Sequence, residues 1–186
     1  PQKAMPAMVL SATIGKGLVM IYFGQEVGEP GAGDAGFGQE DGRTTIFDYW
    51  GVPEHQKWMN QGAFDGGQLS LEQQQLRDQY QQLLNLVNHS PVFASGSFTD
   101  LMPLQQGFPS SLYAYLRESE SETWLVCVNF GGELTTATLQ LPKRLQNLNN
   151  STTNVLNTDT ERPLVVENHQ LMLRLGAYRS MVMQLK

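Results

Sequence analysis

A continuous apolar run, Leu18 to Phe23 (LVMIYF), constrains this chain more than any other segment. It lacks the alternation of a half-solvated strand. Such a run suits a strand covered on both faces, the habit of parallel sheets. Upstream, KAMPAMVLSATI (3–14) predicts a helix with Met5, Met8, Val9 and Ala12 on one face. Pro6 falls in its first turn, where proline is tolerated, and Gly15 and Gly17 stop it. Helix, short loop, buried strand is the order of an α/β unit. The strand leads straight to a polar pair, Gln25-Glu26. At six residues it is also the longest apolar run, too short to span a bilayer as a helix, so no membrane partner is expected.

Residues 24–68 read as one long irregular loop. It holds eleven of the 18 glycines, with Pro30 and Pro53. It also carries Phe37, Phe47, Tyr49, Trp50, Trp58 and Phe64, more aromatics than a disordered linker would hold, so an ordered, site-forming loop is expected. Gly31, Gly33 and Gly36 match G-x-G-x-x-G, but they neither follow the strand at once nor open a helix, so a dinucleotide site is rejected. Carboxylates cluster at Glu26, Glu29, Asp34, Glu40, Asp41 and Asp48. Two of them could act as a glycosidic acid/base pair, or several could bind calcium; a solvated acidic face is the plainer reading. In IFDYW, with Arg43 upstream, Trp50 is as suited to stacking on a sugar as to filling a core, and Phe47 reads as core.

Residues 70–88 give the clearest helix. Ser70 and Gln73 form a capping box, and Leu69, Leu76, Tyr80, Leu83, Leu84 and Val87 follow a one-sided spacing. From about 92 the grammar changes. LYAYLR, TWLVCVNF, LTTATLQL, NVLN, PLVVEN, QLMLRL and YRSMVMQL are short β-type runs between turn signals, the pattern of an antiparallel sandwich or barrel. A boundary is placed near residue 90. Cys127, alone in the chain, lies in an apolar strand and reads as core. His55, His89 and His169 are scattered, which gives a zinc site or a catalytic triad little support. With 12 Lys and Arg against 18 Asp and Glu, the net charge of −6 does not suggest nucleic acid as a partner. The chain opens inside an apolar-periodic segment, which suggests a piece of something longer.

The order IYFGQEVG, a Gly-rich loop with GRTTIFDYW, then LRDQYQQLLNL before a proline, resembles the end of the catalytic barrel in the α-amylase family, glycoside hydrolase family 13. The β-rich tail, with YAYLRESESETWLVCVNFGGE, resembles that family's C-terminal sandwich. The resemblance implies a remnant of a (β/α)8 barrel in residues 1–90 (seventh helix, eighth strand, loop, eighth helix), then an antiparallel β-sandwich in residues 91–186. Sites in such barrels lie at the C-terminal strand ends. That makes Gln25, Glu26, Arg43 and Trp50 the residues expected to face substrate.

The family's catalytic Asp, Glu and second Asp have no counterpart here, since no histidine is followed by Asp as in its Asn-His-Asp type motif. The implied function is the C-terminal part of a retaining α-glucan hydrolase or transglycosylase, inactive alone. Its partner is an α-glucan or maltooligosaccharide in the parent enzyme. No cofactor is implied, and calcium in the parent is compatible with the resemblance. An alternative is a non-catalytic carbohydrate-binding or structural β-module, with Tyr113, Tyr115, Trp124 and Tyr178 as candidate sugar-stacking rings. A lone barrel strand has unpaired edges. The 18–23 run is therefore expected to pair within or between chains, allowing self-association, and the 70–88 helix to dock on the sandwich.

Overall fold

The computed structural model describes residues 2–30, 51–145, 153–156 and 166–185. Its helices are α1 (Met5–Thr13), α2 (Pro53–Met59), α3 (Leu71–His89) and α4 (Pro91–Ser95). Its strands are β1 (Ser97–Asp100), β2 (Leu112–Glu118), β3 (Thr123–Asn129), β4 (Thr135–Gln140), β5 (Thr153–Leu156), β6 (Val166–Glu167), β7 (Gln170–Leu175) and β8 (Ser180–Leu185). The chain divides into two compact units: one takes Val19–Gln81, the other Gln2–Leu18 with Gln82–Lys186.

The larger unit holds two antiparallel sheets, one in the order β1-β2-β3-β8-β5, the other β4-β7-β6. Their registers place Leu116 opposite Leu125, Cys127 opposite Met181, and Leu139 opposite Leu171. Leu112, Ala114, Leu116, Leu125, Cys127, Met181 and Met183 of the first sheet share one core with Leu139, Leu171, Leu173 and Leu175 of the second. The second sheet is buried on one face only. In β7, Leu171, Leu173 and Leu175 are buried while Gln170, Met172 and Arg174 are exposed, which is why QLMLRL alternates. The central strands of the first sheet are buried on both faces, so β3 runs continuously apolar from Trp124 to Val128.

The second cover of that sheet includes α1, which packs on β3 and β8. Met5, Met8, Val9 and Ala12, the face expected from sequence, are all buried. α4 brings Phe93 to 5.7 Å from Trp124, ring centre to ring centre. Between them sits Arg117, fully buried. Its Nη1 donates to the carbonyls of Thr13, Ile14 and Gly15 at 3.2, 2.6 and 2.9 Å. Its Nη2 donates to Val92, Phe93 and Gly96 at 3.0, 3.1 and 3.1 Å. The last carbonyls of a helix lack partners and carry its negative dipole end, and one guanidinium answers both at the ends of α1 and α4. Burial lowers the Arg117 pKa, while the neighbouring Tyr115 opposes that. Thr13 gives its hydroxyl proton to Val9 O at 2.6 Å, so Tyr115 donates to Thr13 Oγ1 at 2.5 Å. At the far end of β3, buried Asn129 donates to Glu133, Leu175 and Gly176 carbonyls and accepts from Gly131 N.

Three expectations need correction. The 18–23 run forms no ladder among the described residues. Leu18 is 105% and Met20 81% exposed. A strand of a parallel sheet has no hairpin neighbour in sequence and depends on distant strands. The loop read over 24–68 contains a helix, α2, started by Pro53 and closed by Lys57. α4 and β1 follow Pro91, where only the end of the preceding helix was expected. α1 groups with the sheets, because its apolar face covers one of them, and the two compact units divide in sequence inside α3, after Gln81.

Candidate functional site

The Val19–Gln81 unit contains the turn that carries Gln25 and Glu26. Gly24 and Gly28, both left-handed (φ 79° and 75°), bound a single 3-10 turn, Gln25–Val27. A side chain at Gly24 would place its Cβ 2.7 Å from Glu29 Cβ, so only glycine fits. The Gln25 amide is engaged at both ends: its Oε1 accepts from Tyr22 N at 3.1 Å and its Nε2 donates to Tyr80 OH at 2.9 Å. Glu26 is half-buried. Burial raises the Tyr80 pKa, the Gln25 bond opposes this, and the charge of Glu26 adds to the rise.

Glu29 and Gln73 hold this turn in place. Glu29 Oε2 accepts from Glu54 N at 2.9 Å and His55 N at 3.0 Å. It therefore caps α2 from a distance, where Val52, left-handed at φ 38°, offers no side-chain cap. The capping box is present: Ser70 N donates to Gln73 Oε1 at 3.0 Å and Gln73 N to Ser70 Oγ at 3.3 Å. Gln73 Nε2 then reaches Val27 O at 3.0 Å and Glu54 Oε2 at 2.6 Å. Lys57 Nζ lies 2.6 Å from the same Glu54 oxygen and lowers the Glu54 pKa, with Gln73 helping against partial burial. A carboxylate so held is a poor general acid at neutral pH.

Beside the turn runs a row of rings. Phe23 stands 4.3 Å from His55, His55 5.6 Å from Trp58, and Trp58 5.9 Å from Phe64, by ring centres. The Arg77 guanidinium lies 4.9 Å over Trp58. His55 Nδ1 and Arg77 Nε are buried without a partner.

Of the expected substrate-facing residues, Gln25 and Glu26 thus share one turn, while Arg43 and Trp50 lie outside the described residues. The sequence reading did not anticipate the Glu29 cap or the ring row. The aromatic content that marked Trp58 and Phe64 as part of a site-forming loop was one signal, and the i, i+3 spacing of His55 and Trp58, meaningful only once α2 is present, was the other. Among the described residues, no cluster of three His, Cys, Asp or Glu is placed to hold a metal ion.

The larger unit offers a separate open concavity of about 590 Å³, lined by Met102, Phe108, Tyr113 and Phe130 among others. Its Gln105 is committed, accepting from Gln140 N and donating to the Leu101 and Gln140 carbonyls. Of the four candidate stacking aromatics there, Tyr115 and Trp124 are core, and Tyr113 and Tyr178 are half-exposed.

No family model matches the sequence. No curated protein matches it either. Solved structures do. Over 100% of the chain it is similar to an α-amylase from H. orenii, at 22% identity and a TM-score of 0.60, covering 36% of that chain. Over 98% of the chain it is similar to AmyP in complex with maltose (14%, 0.64, 34% of that chain) and to a debranching enzyme from Nostoc punctiforme (18%, 0.60, 31% of that chain). The chain spans about a third of the length of each. At these identities the likeness is one of fold.

Proposed function

We propose that this chain is the C-terminal part of a retaining α-glucan-acting hydrolase or transglycosylase of the α-amylase family. One observation carries the reading: three solved structures, those of an α-amylase, a debranching enzyme and AmyP with maltose, match this chain over 98–100% of its length. In this reading residues 1–90 close the family's barrel, with 18–23 in the place of its eighth strand, and residues 91–186 are its C-terminal sandwich. Gln25, Glu26, Arg43 and Trp50 border the glucan cleft. The catalytic Asp, Glu and Asp belong to a part of the parent N-terminal to this chain, so the chain alone turns nothing over. Its exposed 18–23 run drives self-association in isolation, which light scattering would detect.

The test is an assay of the chain on soluble starch and on a chromogenic maltoside. The expected result is no turnover above a buffer blank; clear turnover ends the proposal that the carboxylates lie elsewhere.

A second reading, a glucan-binding module, has the concavity with Tyr113 and Phe130 in its favour. Deleting 1–90 would strip α1 from the sheet it covers, so the discriminating variants are Tyr113→Ala and Phe130→Ala. Maltoheptaose binding lost in these two favours the module.

A further inference from the structure

We propose that Phe23, His55, Trp58 and Phe64 form a stacking ridge for the pyranose rings of an uncharged α-glucan, with Phe64 as its outer platform. The inference rests on the α-glucan reading and extends its site from the Gln25–Glu26 turn along α2. Phe23 lies two residues before Gln25 and His55 and Trp58 lie on α2, so the four rings, 4.3 to 5.9 Å apart in succession and inclined 40°, 40° and 61° to one another, make one linked aromatic row. Its two ends face water: Phe23 is 40% and Phe64 56% exposed. Isolated surface aromatics are common, but a linked row with open ends is the shape that sugar faces stack on.

Phe64 is held rigidly. Its N–H donates to Met59 O at 2.9 Å, Gly66 N donates to Trp58 O at 3.0 Å, and Asp65 Oδ1 accepts from Asn60 Nδ2 at 2.8 Å and Gly67 N at 2.9 Å. Phe64 itself is left-handed, φ 54°, as are Asn60 and Gln61 before it. An unfavourable backbone kept by so many bonds is typical of ligand clamps. A platform ordered in advance loses little entropy on binding.

Charge narrows the occupant. Among the described residues of the Val19–Gln81 unit, six carboxylates (Glu26, Glu29, Glu54, Asp65, Glu72 and Asp78) stand against Lys57 and Arg77, a net −4. This segment therefore repels anions such as sugar phosphates. Arg77 stands over one face of Trp58, and its positive charge beside the row disfavours a cationic ligand there. An uncharged ring with an apolar C–H face fits what remains.

The experiment titrates the full chain with maltoheptaose by calorimetry and follows tryptophan emission. Phe64→Ala is expected to weaken binding about tenfold, in line with the loss of one good ring contact. Phe64→Trp should restore it, and both variants should keep the wild-type unfolding midpoint. Maltose phosphate should bind more weakly than maltose at low salt, with the gap closing at high salt. Wild-type binding unchanged in Phe64→Ala overturns the ridge. If binding is lost instead in Tyr113→Ala, the site is the concavity of the other unit and the ridge is again overturned. A wild-type chain that binds tetramethylammonium but not maltoheptaose overturns it in favour of a cation site. No binding of any glucan overturns it as well. The family reading is judged separately, by the starch assay.

Discussion

Residues 18–23 and residues 123–129 both present a nearly unbroken apolar run, LVMIYF and TWLVCVN. The second is the centre of a five-stranded sheet, with Leu125 and Cys127 in the inter-sheet core and Val126 and Val128 buried on the other face. The first has no ladder among the described residues and leaves Leu18 and Met20 in water. Composition does not separate them. What separates them is whether partners lie close in sequence. β3 pairs β2 through a tight turn, Ser119 N to Glu122 O at 2.8 Å. A strand of parallel habit has no such neighbour. One run thus creates its own environment and the other waits for one.

The sharpest way to break this comparison is to remove what covers the sheet. Arg117 holds six carbonyls in the buried layer between β2 and the ends of α1 and α4. Arg117→Met removes that donor from all six, leaving only Val92 O, among the described residues, with a backbone partner, Gly96 N at 2.8 Å, and a loss of about 3–5 kcal/mol is expected in urea unfolding followed by circular dichroism. Arg117→Lys should recover only a minor part, because one ammonium has three donors on a single point. A loss below about 1 kcal/mol in Arg117→Met would show that water or backbone shifts replace the clamp.

A direct contest between the two runs comes next in size. Leu125→Ala opens a cavity in a fully buried site and should cost about 2–5 kcal/mol. Met20→Ala, at an 81% exposed site, should stay within about 0.5 kcal/mol. Equal costs would mean that the 18–23 run is buried in solution, by a second copy or otherwise, and light scattering on the same samples would say which.

The comparison also explains what the sequence could and could not reveal. The α1 face, the capping box and seven of the eight strands were readable, because their partners are local or their periodicity reports burial directly. β1 (SFTD) was not, since its Ser97 and Phe98 are exposed and it belongs to the sheet only by pairing with β2. α2 was hidden by the glycines and by left-handed residues on either side, Val52 and Asn60. Arg117 looked like one polar residue at the end of LYAYLR. Its role depends on two helix ends more than 75 residues apart, Gly15 and Val92, which no local pattern brings together. The candidate site follows the same rule. Gln25 and Glu26 were visible as a polar pair ending an apolar run, whereas the Glu29 cap needs residues 29 and 54–55 to meet.

The smallest expected effect separates the two units by pH. In the Val19–Gln81 unit, the side-chain bond from Lys57 lowers the Glu54 pKa below its ordinary 4.5, with Gln73 adding to it. A carboxyl depressed in the folded state adds stability above its unfolded pKa and loses it as pH falls through the folded one. The contribution is therefore present at pH 7 and fades from about pH 4.5 downward. Glu54 and Lys57 are partly exposed, so its size is held to under about 1 kcal/mol by solvent screening. The Arg117 clamp has no carboxylate in it and arginine stays protonated, so it is indifferent over the same range. Amide protection at 54–59, taken relative to the intrinsic rate, which itself slows as pH falls, should decrease between pH 5 and pH 3 as local opening becomes easier, while protection in β3 should not. Glu54→Gln keeps an acceptor for Gln73 and Lys57 without the charge, and should flatten that pH dependence. An unchanged profile in Glu54→Gln would move the acid sensitivity to another carboxylate, with Asp65, whose pKa is lowered by its bonds from Asn60 and Gly67, the next to substitute.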